Sequence, residues 1–411
     1  MQHCDTAPFE GPSDILKHKM RDLENAMLGP EHDEQDSHFK EIRQLIIRGD
    51  LKQLLISCAR DLSDGNLLAV DCLCDQLRRM VSVSGEPIQR LGAYLLEALI
   101  ARRNSSGGAI YRALKRQEIA APDLFSYQIL YEVCPYIKFG FMSANGAIAE
   151  AMKDEERVHI VDFQIGQGNQ WVSLIRAFAG RPGGPPHIRI TGVAGADLTG
   201  KRLCDLAAMC NVPFEYNHSS AGSLCEVEPS AFGLREGEAV AVNFAFALHH
   251  TPDESVCMEN HRDRVLRLVK RISPKVVTLV EFDLNTNTAP FFPRFVETLE
   301  YYCAIFESID VTLPRGQKER INVEQHCLAR ELVNIIACER EERVERYEPY
   351  GKWRSRFEMA GFQPFPLSSF VNSTIHSLLS KYSMNYSLHE RDGVLYLGWL
   401  NRNLVASCAW R

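Results

Sequence analysis

The 411-residue sequence lacks a long apolar run, an even number of cysteines and a surplus of basic residues. Because no stretch approaches the roughly 20 uninterrupted apolar residues of a membrane helix, we expect no membrane span. The first residues contain neither a basic segment nor an apolar one, so we expect no secretion signal. The 13 cysteines are scattered through helical and strand-like segments, which is typical of reduced thiols in a cytosolic or nuclear protein.

The net charge argues against one class of function, free-standing DNA binding. The formal net charge is −7, whereas a free-standing DNA-binding protein usually carries a basic surplus, because phosphate contacts supply much of its affinity. A local groove lined by basic residues is still compatible with this net charge. Cys72 and Cys74 have no second pair of Cys or His nearby, so we expect no zinc site and no bound metal.

Hydrophobic periodicity divides the chain into segments. "GDLKQLLISCARDL" places Leu51, Leu54, Leu55 and Cys58 on one helix face, and similar patterns continue to about Met152. Short β-rich runs such as "RVHIVDF" and "KVVTLVEFD" then alternate with helical stretches, which indicates βαβ units in a parallel sheet. The predicted segments are a polar arm (1–47), a helical cap (48–152), an α/β core (153–292), a largely helical insertion (293–348) and a C-terminal α/β part (349–411).

The last two segments carry further local signals. "CEREERVER" offers the i,i+4 pairs Glu339–Arg343 and Glu342–Arg346, which we interpret as the solvated face of a helix. "GFQPFPLSS", "NYSLHER", "GVLYLGW" and "LVASCAW" are β-rich, and Asp392-Gly393 is typical of a hairpin turn. These runs predict antiparallel strands added to one edge of the sheet.

The stretch "VHIVDFQIGQGNQW" (158–171) is the strongest candidate for a binding site. Strand, acidic residue, glycine turn and helix follow each other, as they do at the start of a dinucleotide or S-adenosylmethionine (SAM) site. A SAM loop carries glycines two, four and six residues after the acid. Here Asp162 is followed at those positions by Gln164, Gly166 and Gly168.

Two features argue against a working cofactor site. Gln164 puts a bulky amide where the backbone should approach the cofactor, and no G-x-G-x-x-G fingerprint is present. Strand two ends at Val193-Ala194, where an acid should bind the ribose hydroxyls, and Asp197 comes several residues late. We therefore interpret the glycines as a tight turn and expect no cofactor. Asp162 then braces the loop, and a ligand contact is the alternative.

Histidines near the strands have two interpretations each. His159 lies mid-strand, where a core histidine with satisfied hydrogen bonds is more common than a catalytic base. His249 and His250 follow strand four, where a general-base pair is one interpretation. Because adjacent side chains usually point apart, we favour a structural turn in which Thr251 or Asp253 caps the next helix. No catalytic residue is expected.

Two surface hypotheses concern helices. "LKQLL" matches L-x-x-L-L, so Leu51, Leu54 and Leu55 either dock in a partner's groove or belong to the protein core. In the basic stretch 259–275, Arg264, Arg267 and Arg271 share one helix face and would neutralise a few phosphates. The solvated face of a crossover helix explains the same arginines, and we favour it because little aromatic interleaving suggests base stacking.

Four ordered signatures resemble the GRAS family of plant regulatory proteins over roughly residues 48–411. The family's "VHIID" signature is present as "VHIVD", between the leucine-rich stretches "LKQLLISCA" and "KRLCDLAAMCNVPF". A third region resembles "APFFPRFVETLEYYCAIFESID" with "ERINVEQ", and the closing region extends from "KWRSRFEMAGFQPFPLSS" to "ASCAW". Other stretches, such as "NTNTAPFFPRF", look most like the phytochrome A signal-transduction branch. The signature residues are Val158, His159, Ile160, Val161, Asp162, Pro290, Arg294, Arg320, Glu324, Trp353, Trp399, Ser407 and Trp410.

The resemblance implies a Rossmann-like, methyltransferase-like α/β core with a mostly parallel sheet, antiparallel C-terminal strands and an α-helical cap. It implies a transcriptional regulator or co-regulator in the nucleus, or also in the cytoplasm, with no catalytic activity. Its partners would be transcription factors, zinc-finger proteins among them, and other GRAS chains, including a second copy of this one. Light or hormone signalling is the implied context. The alternative is a SAM-dependent methyltransferase-like enzyme, or a small-ligand receptor that uses the loop over 162–168.

Overall fold

The computed structural model describes residues 30–117, 128–193, 197–219 and 224–411. The chain divides into two compact units between Arg79 and Met80, inside the segment predicted as the helical cap. Most of the predicted polar arm, as well as Ala194, lies outside the described residues. Within the described part, no helix is both long enough and apolar enough to cross a bilayer.

The first unit is helical, as the leucine spacing predicts. The side chain of Asp50 caps the second helix by accepting a hydrogen bond from the backbone N–H of Gln53, and Gly65 ends that helix with a φ of 82°. The sulfur atoms of Cys58 and Cys74 lie 3.9 Å apart in the core between two helices. The helices are α1 (Pro30–Arg48), α2 (Leu51–Asp64) and α3 (Leu67–Met80).

The second unit surrounds its sheet with helices. Its segment α4 packs against α10 and α12, which belong to the predicted helical insertion, and a π-helical turn at Glu324–Leu328 joins α11 to α12. The helices are α4 (Pro87–Arg103), α5 (Gly107–Gln117), α6 (Tyr136–Ala151), α7 (Asn169–Ala179), α8 (Asp197–Met209), α9 (His261–Arg271), α10 (Phe291–Asp310), α11 (Lys318–Val323), α12 (Ala329–Ala337), α13 (Tyr350–Met359) and α14 (Ser369–Leu379).

The sheet has the predicted mixed topology. Its strands are β1 (Arg157–Asp162), β2 (His187–Gly192), β3 (Phe214–His218), β4 (Ala239–Ala245), β5 (Val276–Phe282), β6 (Pro364–Phe365), β7 (Tyr386–Arg391), β8 (Val394–Trp399) and β9 (Arg402–Trp410). They follow the order β3-β2-β1-β4-β5-β9-β8-β7, with β6 paired to β9. The first five strands in this order are parallel, and β9, β8 and β7 add antiparallel pairs. The order reverses between β1 and β4, which is where α/β folds of this type place their ligands.

Alternate strand residues point to opposite sides of the sheet, and helices cover both sides. On one face, Phe244 of β4 and Leu279 of β5 pack in the same core as Trp353 and Phe357 of α13. Helix α6 lies on the other face against β5, close enough that Gly140 has no room for a side chain. The core therefore fixes the loops that follow the carboxyl ends of β1, β4 and β5.

The residue that caps helix α9 differs from the prediction. Its N-cap is Asn260, whose side chain accepts a hydrogen bond from the backbone N–H of Asp263. The prediction that Thr251 or Asp253 caps this helix is therefore wrong. Asp253 is buried, and its carboxylate lies 3.5 Å from a guanidinium nitrogen of Arg346.

The expected solvated helix over 339–348 is also wrong. A short 3-10 turn at Arg340–Glu342 leads into extended chain, and both Arg343 and Arg346 are buried. Arg343 donates to the backbone carbonyl of Thr286 at 2.7 Å. The i,i+4 spacing predicts a helix with an exposed charged face. The segment is instead mostly extended, and its arginines are buried.

The C-terminal prediction is largely confirmed, with one exception. In "GFQPFPLSS" only two residues pair as β6, and α14 follows, capped by Ser368, whose hydroxyl accepts from the backbone N–H of Val371. The hairpin between β7 and β8 turns at Asp392 and Gly393, with φ angles of 54° and 76°. Two successive positive φ angles are typical of the tight turn that this dipeptide predicts.

Candidate functional site

Asp162 lies at the carboxyl end of β1, and its carboxylate is fully used by the protein. Oδ2 accepts a hydrogen bond from the indole N–H of Trp171 at 2.8 Å. Oδ1 accepts from the amide of Asn243 at 3.1 Å and from the backbone N–H of Gln164 at 3.2 Å. Burial raises the pKa of Asp162 to about 6, although these hydrogen bonds favour the ionised form. The bracing role expected for Asp162 agrees with this geometry.

The glycine turn is closed by side chains of α8. Gly166 and Gly168 have φ angles of 49° and 74°, a conformation that favours glycine. The backbone carbonyl of Gly166 accepts from the hydroxyl of Thr199 at 2.8 Å. A Cβ atom on Gly168 would lie 3.1 Å from the side chains of both Thr199 and Leu203. The glycines therefore serve a tight turn under a packed helix.

The end of β2 offers no acid for a ribose. Val193 is buried there in the core, and its backbone N–H donates to the carbonyl oxygen of Asp162 at 2.8 Å. Asp197, the acid that comes late in the sequence, lies 3.2 Å from the imidazole of His218. Neither residue replaces the carboxylate that dinucleotide and SAM sites use at this position.

A cavity of about 400 Å³ lies beside the loop, at the carboxyl ends of β1, β4 and β5. Gln164, whose side chain is exposed, and Gly166 contribute to its wall from the glycine loop. Aromatic side chains form much of the remaining wall, and the polar part is a histidine and glutamate cluster. The aromatic wall consists of Tyr131, Tyr136, Phe141, Phe246, Phe282, Tyr301, Tyr302 and Tyr347.

His249 and His250 face the same carboxylate, so the expectation that adjacent histidines point apart is wrong here. They lie in a single 3-10 turn after β4, which brings the two ring centroids within 4.0 Å. The Nε2 atoms of His249 and His250 lie 3.6 Å and 3.4 Å from Oε2 of Glu345. The Nδ1 atom of His249 forms a 2.7 Å hydrogen bond with Glu281.

The acidic groups of this cluster differ in their electrostatics. Burial raises the pKa of Glu331 to about 7, and the neighbouring Glu345 adds to that effect. Burial opposes ionisation of Glu345 as well, but His250 and His249 more than offset it and lower its pKa to about 2. The Tyr302 hydroxyl donates to Glu331 at 2.6 Å. The cavity wall therefore holds an ionised carboxylate that faces two histidines, beside a second carboxyl whose pKa lies near neutrality.

His159 is a core histidine with both ring nitrogens satisfied. Nδ1 accepts from the guanidinium of Arg189 at 2.9 Å, so Nε2 carries the proton and donates to the hydroxyl of Thr191 at 2.9 Å. Burial, with a smaller contribution from Arg189, lowers the pKa of His159 to about 4. Arg189 is itself paired with Glu238. The signature histidine is thus a structural residue of β1.

The charged signature residues of the insertion are also buried. Arg320 lies 2.6 Å from the carboxylate of Glu324, which lies 2.9 Å from Arg90 on the other side. Arg294 donates to the backbone carbonyl of Ile335 at 2.9 Å and is paired with Glu339. Pro290 occupies the N-cap position of α10, where its fixed φ is tolerated.

The C-terminal signature residues pack in the same way. Trp353 lies under the guanidinium of Arg262 at 5.0 Å, and Trp410 stacks on Phe357 with ring centroids 4.9 Å apart. The indole N–H of Trp399 donates to Glu307 at 3.2 Å, and Ser407 accepts from the hydroxyl of Ser143 at 2.6 Å. Val158, Ile160 and Val161 of β1 are buried as well. Structural packing therefore explains the signature residues, and they do not converge on one site.

The L-x-x-L-L leucines are not available for docking in this structure. Leu51 is 6% exposed, and Leu54 and Leu55 are fully buried. A partner groove can bind such a motif only when its leucines reach the surface. This burial agrees with the second interpretation, in which the three leucines belong to the protein core.

The three arginines proposed for phosphate contacts differ from one another. Arg264 is half-buried and donates to the backbone carbonyl of Cys225 at 2.7 Å, with Glu228 as its ion-pair partner at 2.5 Å. Arg267 and Arg271 are exposed on the same helix. Two arginines, rather than three, thus present their charge to solvent.

Fold and loop together define a Rossmann-like α/β protein whose nucleotide-type loop is braced by its own side chains. The chain belongs to the GRAS domain family, whose sequence profile matches residues 51–411. The family predicted from the sequence signatures is thereby confirmed.

Individual relatives agree with this assignment. The chain is similar to Scarecrow-like transcription factor PAT1 of Arabidopsis thaliana, with 61% identity over 423 residues, covering 96% of this chain and 86% of that protein. Chitin-inducible gibberellin-responsive protein 2 of Oryza sativa is 58% identical over 425 residues, covering 98% and 78%. The crystal structure of SCL7 from Oryza sativa aligns with a TM-score of 0.76 at 34% identity, covering 88% of this chain and 99% of that one.

Sequence reasoning missed the role of Glu345 and Glu281 in the cavity wall. Glu345 belongs to the charged run "CEREERVER", which we interpret from the sequence as a solvated helix, and Glu281 is the last residue but one of the apolar strand β5. A carboxylate inside a strand that is otherwise buried is a signal, besides the histidine pair, that indicates a polar cluster at this position.

Proposed function

We propose that the chain is a non-enzymatic plant transcriptional regulator that acts by binding other proteins. Membership of the GRAS domain family supports this proposal, and so does the similarity to a relative named as a transcription factor. The observation that carries it is the carboxylate of Asp162, which accepts hydrogen bonds from Trp171, Asn243 and Gln164. A cofactor-binding acid needs oxygen atoms that face the ligand, whereas these atoms are satisfied from within the protein.

Partner binding needs an exposed apolar surface, and α7 and α8 provide one. Leu198 is 79% exposed and Met209 is 82% exposed on the outer side of α8. They line a groove with Val172 of α7, and Lys201 and Asp205 lie along it. Exposed apolar side chains with a charged rim are typical of protein interaction sites. We name this surface the α7–α8 groove.

The proposed partners are transcription factors, including zinc-finger proteins, and other GRAS chains, a second copy of this one among them. Action on transcription requires the nucleus, with passage through the cytoplasm. Light or hormone signalling is the proposed context, in line with a relative named as gibberellin-responsive. An enzymatic role is the alternative that the braced loop argues against.

A reporter assay tests the regulatory part of the proposal. The chain, fused to a heterologous DNA-binding domain, should change transcription of a reporter in plant cells. We expect the double variant Leu198→Glu/Met209→Glu to lose most of this effect, because two charges in the α7–α8 groove oppose docking of an apolar partner. Met359→Glu is the matched control, since Met359 is 72% exposed on α13. Equal loss in both variants, or none, would contradict a role for the groove.

Thermal unfolding with S-adenosylhomocysteine tests the non-enzymatic part. A working site at 100 times its dissociation constant adds about 2.7 kcal/mol to the free energy of unfolding, which raises the melting temperature by a few degrees. We expect no shift at millimolar ligand. A rise in melting temperature that Gly168→Leu abolishes would instead favour a methyltransferase or a SAM receptor over a non-enzymatic regulator.

A small-ligand receptor is the second candidate, and the aromatic cavity of about 400 Å³ favours it. Apolar pockets with a few polar groups are the usual form of small-molecule sites. Native mass spectrometry of the chain purified from plant cells would detect a retained ligand as an added mass. A Phe246→Trp variant, which fills part of the cavity, should lose that mass while it keeps the fold. A mass equal to that of the chain alone would reject the receptor.

A further inference from the structure

Both nitrogen atoms of the His249 ring face carboxylate oxygens. Nδ1 is hydrogen-bonded to Glu281 at 2.7 Å, and Nε2 faces Glu345 at 3.6 Å, beyond hydrogen-bond length. A neutral imidazole has one N–H and one lone pair. When His249 is neutral and directs its N–H to Glu281, the lone pair of Nε2 points towards an anionic oxygen, and either a proton on Nε2 or a metal cation between the two atoms removes that repulsion.

His250 completes the arrangement. Its Nε2 atom lies 3.4 Å from the same Oε2 atom of Glu345, and one ligand atom from each of the three residues lies within 4.8 Å of the others. Around a tetrahedral zinc ion with bonds of about 2.0 to 2.1 Å, neighbouring ligand atoms are roughly 3.4 Å apart. The two distances to Glu345 agree with that spacing. The side chain of His250 is 37% exposed, so its ring can adjust to the ion.

The surrounding groups match those that support metal ligands. A metal-bound histidine commonly donates its other N–H to a carboxylate, which fixes the tautomer and orients the ring. Glu281 does this for His249, and the backbone N–H of Leu248 holds the other oxygen of Glu281 at 2.8 Å. The Tyr347 hydroxyl donates to Glu345 at 3.0 Å, and its ring stacks on His249.

We propose that His249, His250 and Glu345 form a binding site for a divalent transition metal ion, with zinc as the best match, in the wall of the aromatic cavity. Two imidazoles and one carboxylate are donors that zinc and iron(II) accept, whereas calcium and magnesium prefer oxygen atoms alone. The carboxylates of Glu281 and Glu345 supply two negative charges close to the ion, and buried charges are commonly stabilised by pairing or by metal coordination.

Three protein ligands leave one tetrahedral position unfilled by the chain. His249, His250 and Glu345 all line the cavity, so this position is on the cavity side. There the metal would bind the donor atom of a small molecule, such as a carboxylate or phenolate, while the aromatic wall contacts its apolar part. The metal proposal does not depend on the proposed regulatory function, because the ion can be measured in the purified chain.

Metal binding can be measured directly on the full chain. After removal of metal with a chelator, we expect one zinc ion per chain to bind with a dissociation constant below 1 µM in competition with a chromogenic chelator. His250→Asn and Glu345→Gln should each weaken zinc binding by at least 100-fold. Glu281→Gln, which removes only the carboxylate behind His249, should weaken it by about 10- to 100-fold. Thermal melts in chelator show whether the variants fold.

A second group of donors provides the matched control. Cys257, Glu259 and His261 also bring possible ligands together before and at the start of α9. Cys257→Ser should leave zinc affinity unchanged, and Co²⁺ in the chain should show intense visible bands of tetrahedral nitrogen and oxygen coordination without a thiolate band. Anaerobic Fe²⁺ titration separates an iron preference from a zinc one. Absence of binding at micromolar zinc, or binding that survives both His250→Asn and Glu345→Gln, would overturn the proposal.

Discussion

Arg90 of α4 and Glu324 of the π-helical turn form an ion pair in which neither side chain is exposed, with Nε 2.9 Å from the carboxylate. Glu324 is also paired with Arg320 at 2.6 Å. This pair joins the predicted cap segment to the predicted insertion within the second unit. Its partners are far apart in sequence, so no local pattern reveals it.

Removal of the Glu324 charge should destabilise the protein strongly. Glu324→Gln leaves Arg90 and Arg320 buried without their shared carboxylate, which typically costs about 3 to 5 kcal/mol of the free energy of unfolding. Urea denaturation measures the loss. Glu236→Gln, an exposed carboxylate, should change that free energy by less than about 0.5 kcal/mol. Similar values for both variants would show that the buried pair contributes little.

Asp162→Ala tests the bracing of the glycine loop. The substitution leaves the Trp171 indole, the Asn243 amide and a backbone N–H without their acceptor, so we expect a loss of about 2 to 4 kcal/mol in the free energy of unfolding. Tryptophan fluorescence during urea unfolding gives the measurement. Asp205→Ala, at an exposed position of α8, is the control. A stable Asp162→Ala variant would indicate that the carboxylate is kept for a ligand instead.

Gly140→Ala should disturb the packing of α6 on the sheet. An added Cβ atom would lie 2.5 Å from Cγ1 of Val280 and 3.3 Å from the ring of Phe246. Overpacking of this kind typically costs about 1 to 3 kcal/mol, part of which the higher helix propensity of alanine returns. Gly351→Ala is the matched control, because nothing lies within 4 Å of its added Cβ atom. The melting temperature should fall for the first variant and stay or rise for the second.

The low pKa of the buried His159 leads us to expect that the free energy of unfolding depends on pH. Burial lowers its pKa to about 4 in the folded chain, against about 6.5 when unfolded. The unfolded state therefore binds more protons between these values, and stability decreases as pH falls through this window. From pH 7.5 to pH 5 the loss should be about 2 kcal/mol. His159→Gln should flatten this part of the profile, whereas the exposed His389→Gln should not. Parallel profiles for all three chains would refute the assignment.

Periodicity and short-range rules predicted much of the fold. The helices that begin at Leu51 and Pro87, the alternating α/β core and the turn at Asp392-Gly393 depend on neighbouring residues, and the structure contains all of them. The bracing role of Asp162 was also accessible, since Gln164 and the missing acid at the end of β2 argued locally against a cofactor.

Long-range contacts were beyond such rules. Glu345 meets His249 and His250 only because an extended segment after α12 returns to the end of β4. The sequence also predicts that Arg343 and Arg346 are exposed to solvent. The i,i+4 spacing indicates a helix, but it carries no information about burial by distant segments. The cavity arises from several elements at once, so no single stretch indicates it.

The position of β9 in the sheet has a consequence for synthesis of the chain. This strand, residues 402–410, pairs with β5 on one side and β8 on the other. Until the ribosome has released it, β5 and β8 both present unpaired edges, which are templates for aggregation. A nonsense mutation at the start of β9 should therefore be as damaging as a much earlier one, and its product should depend on chaperones.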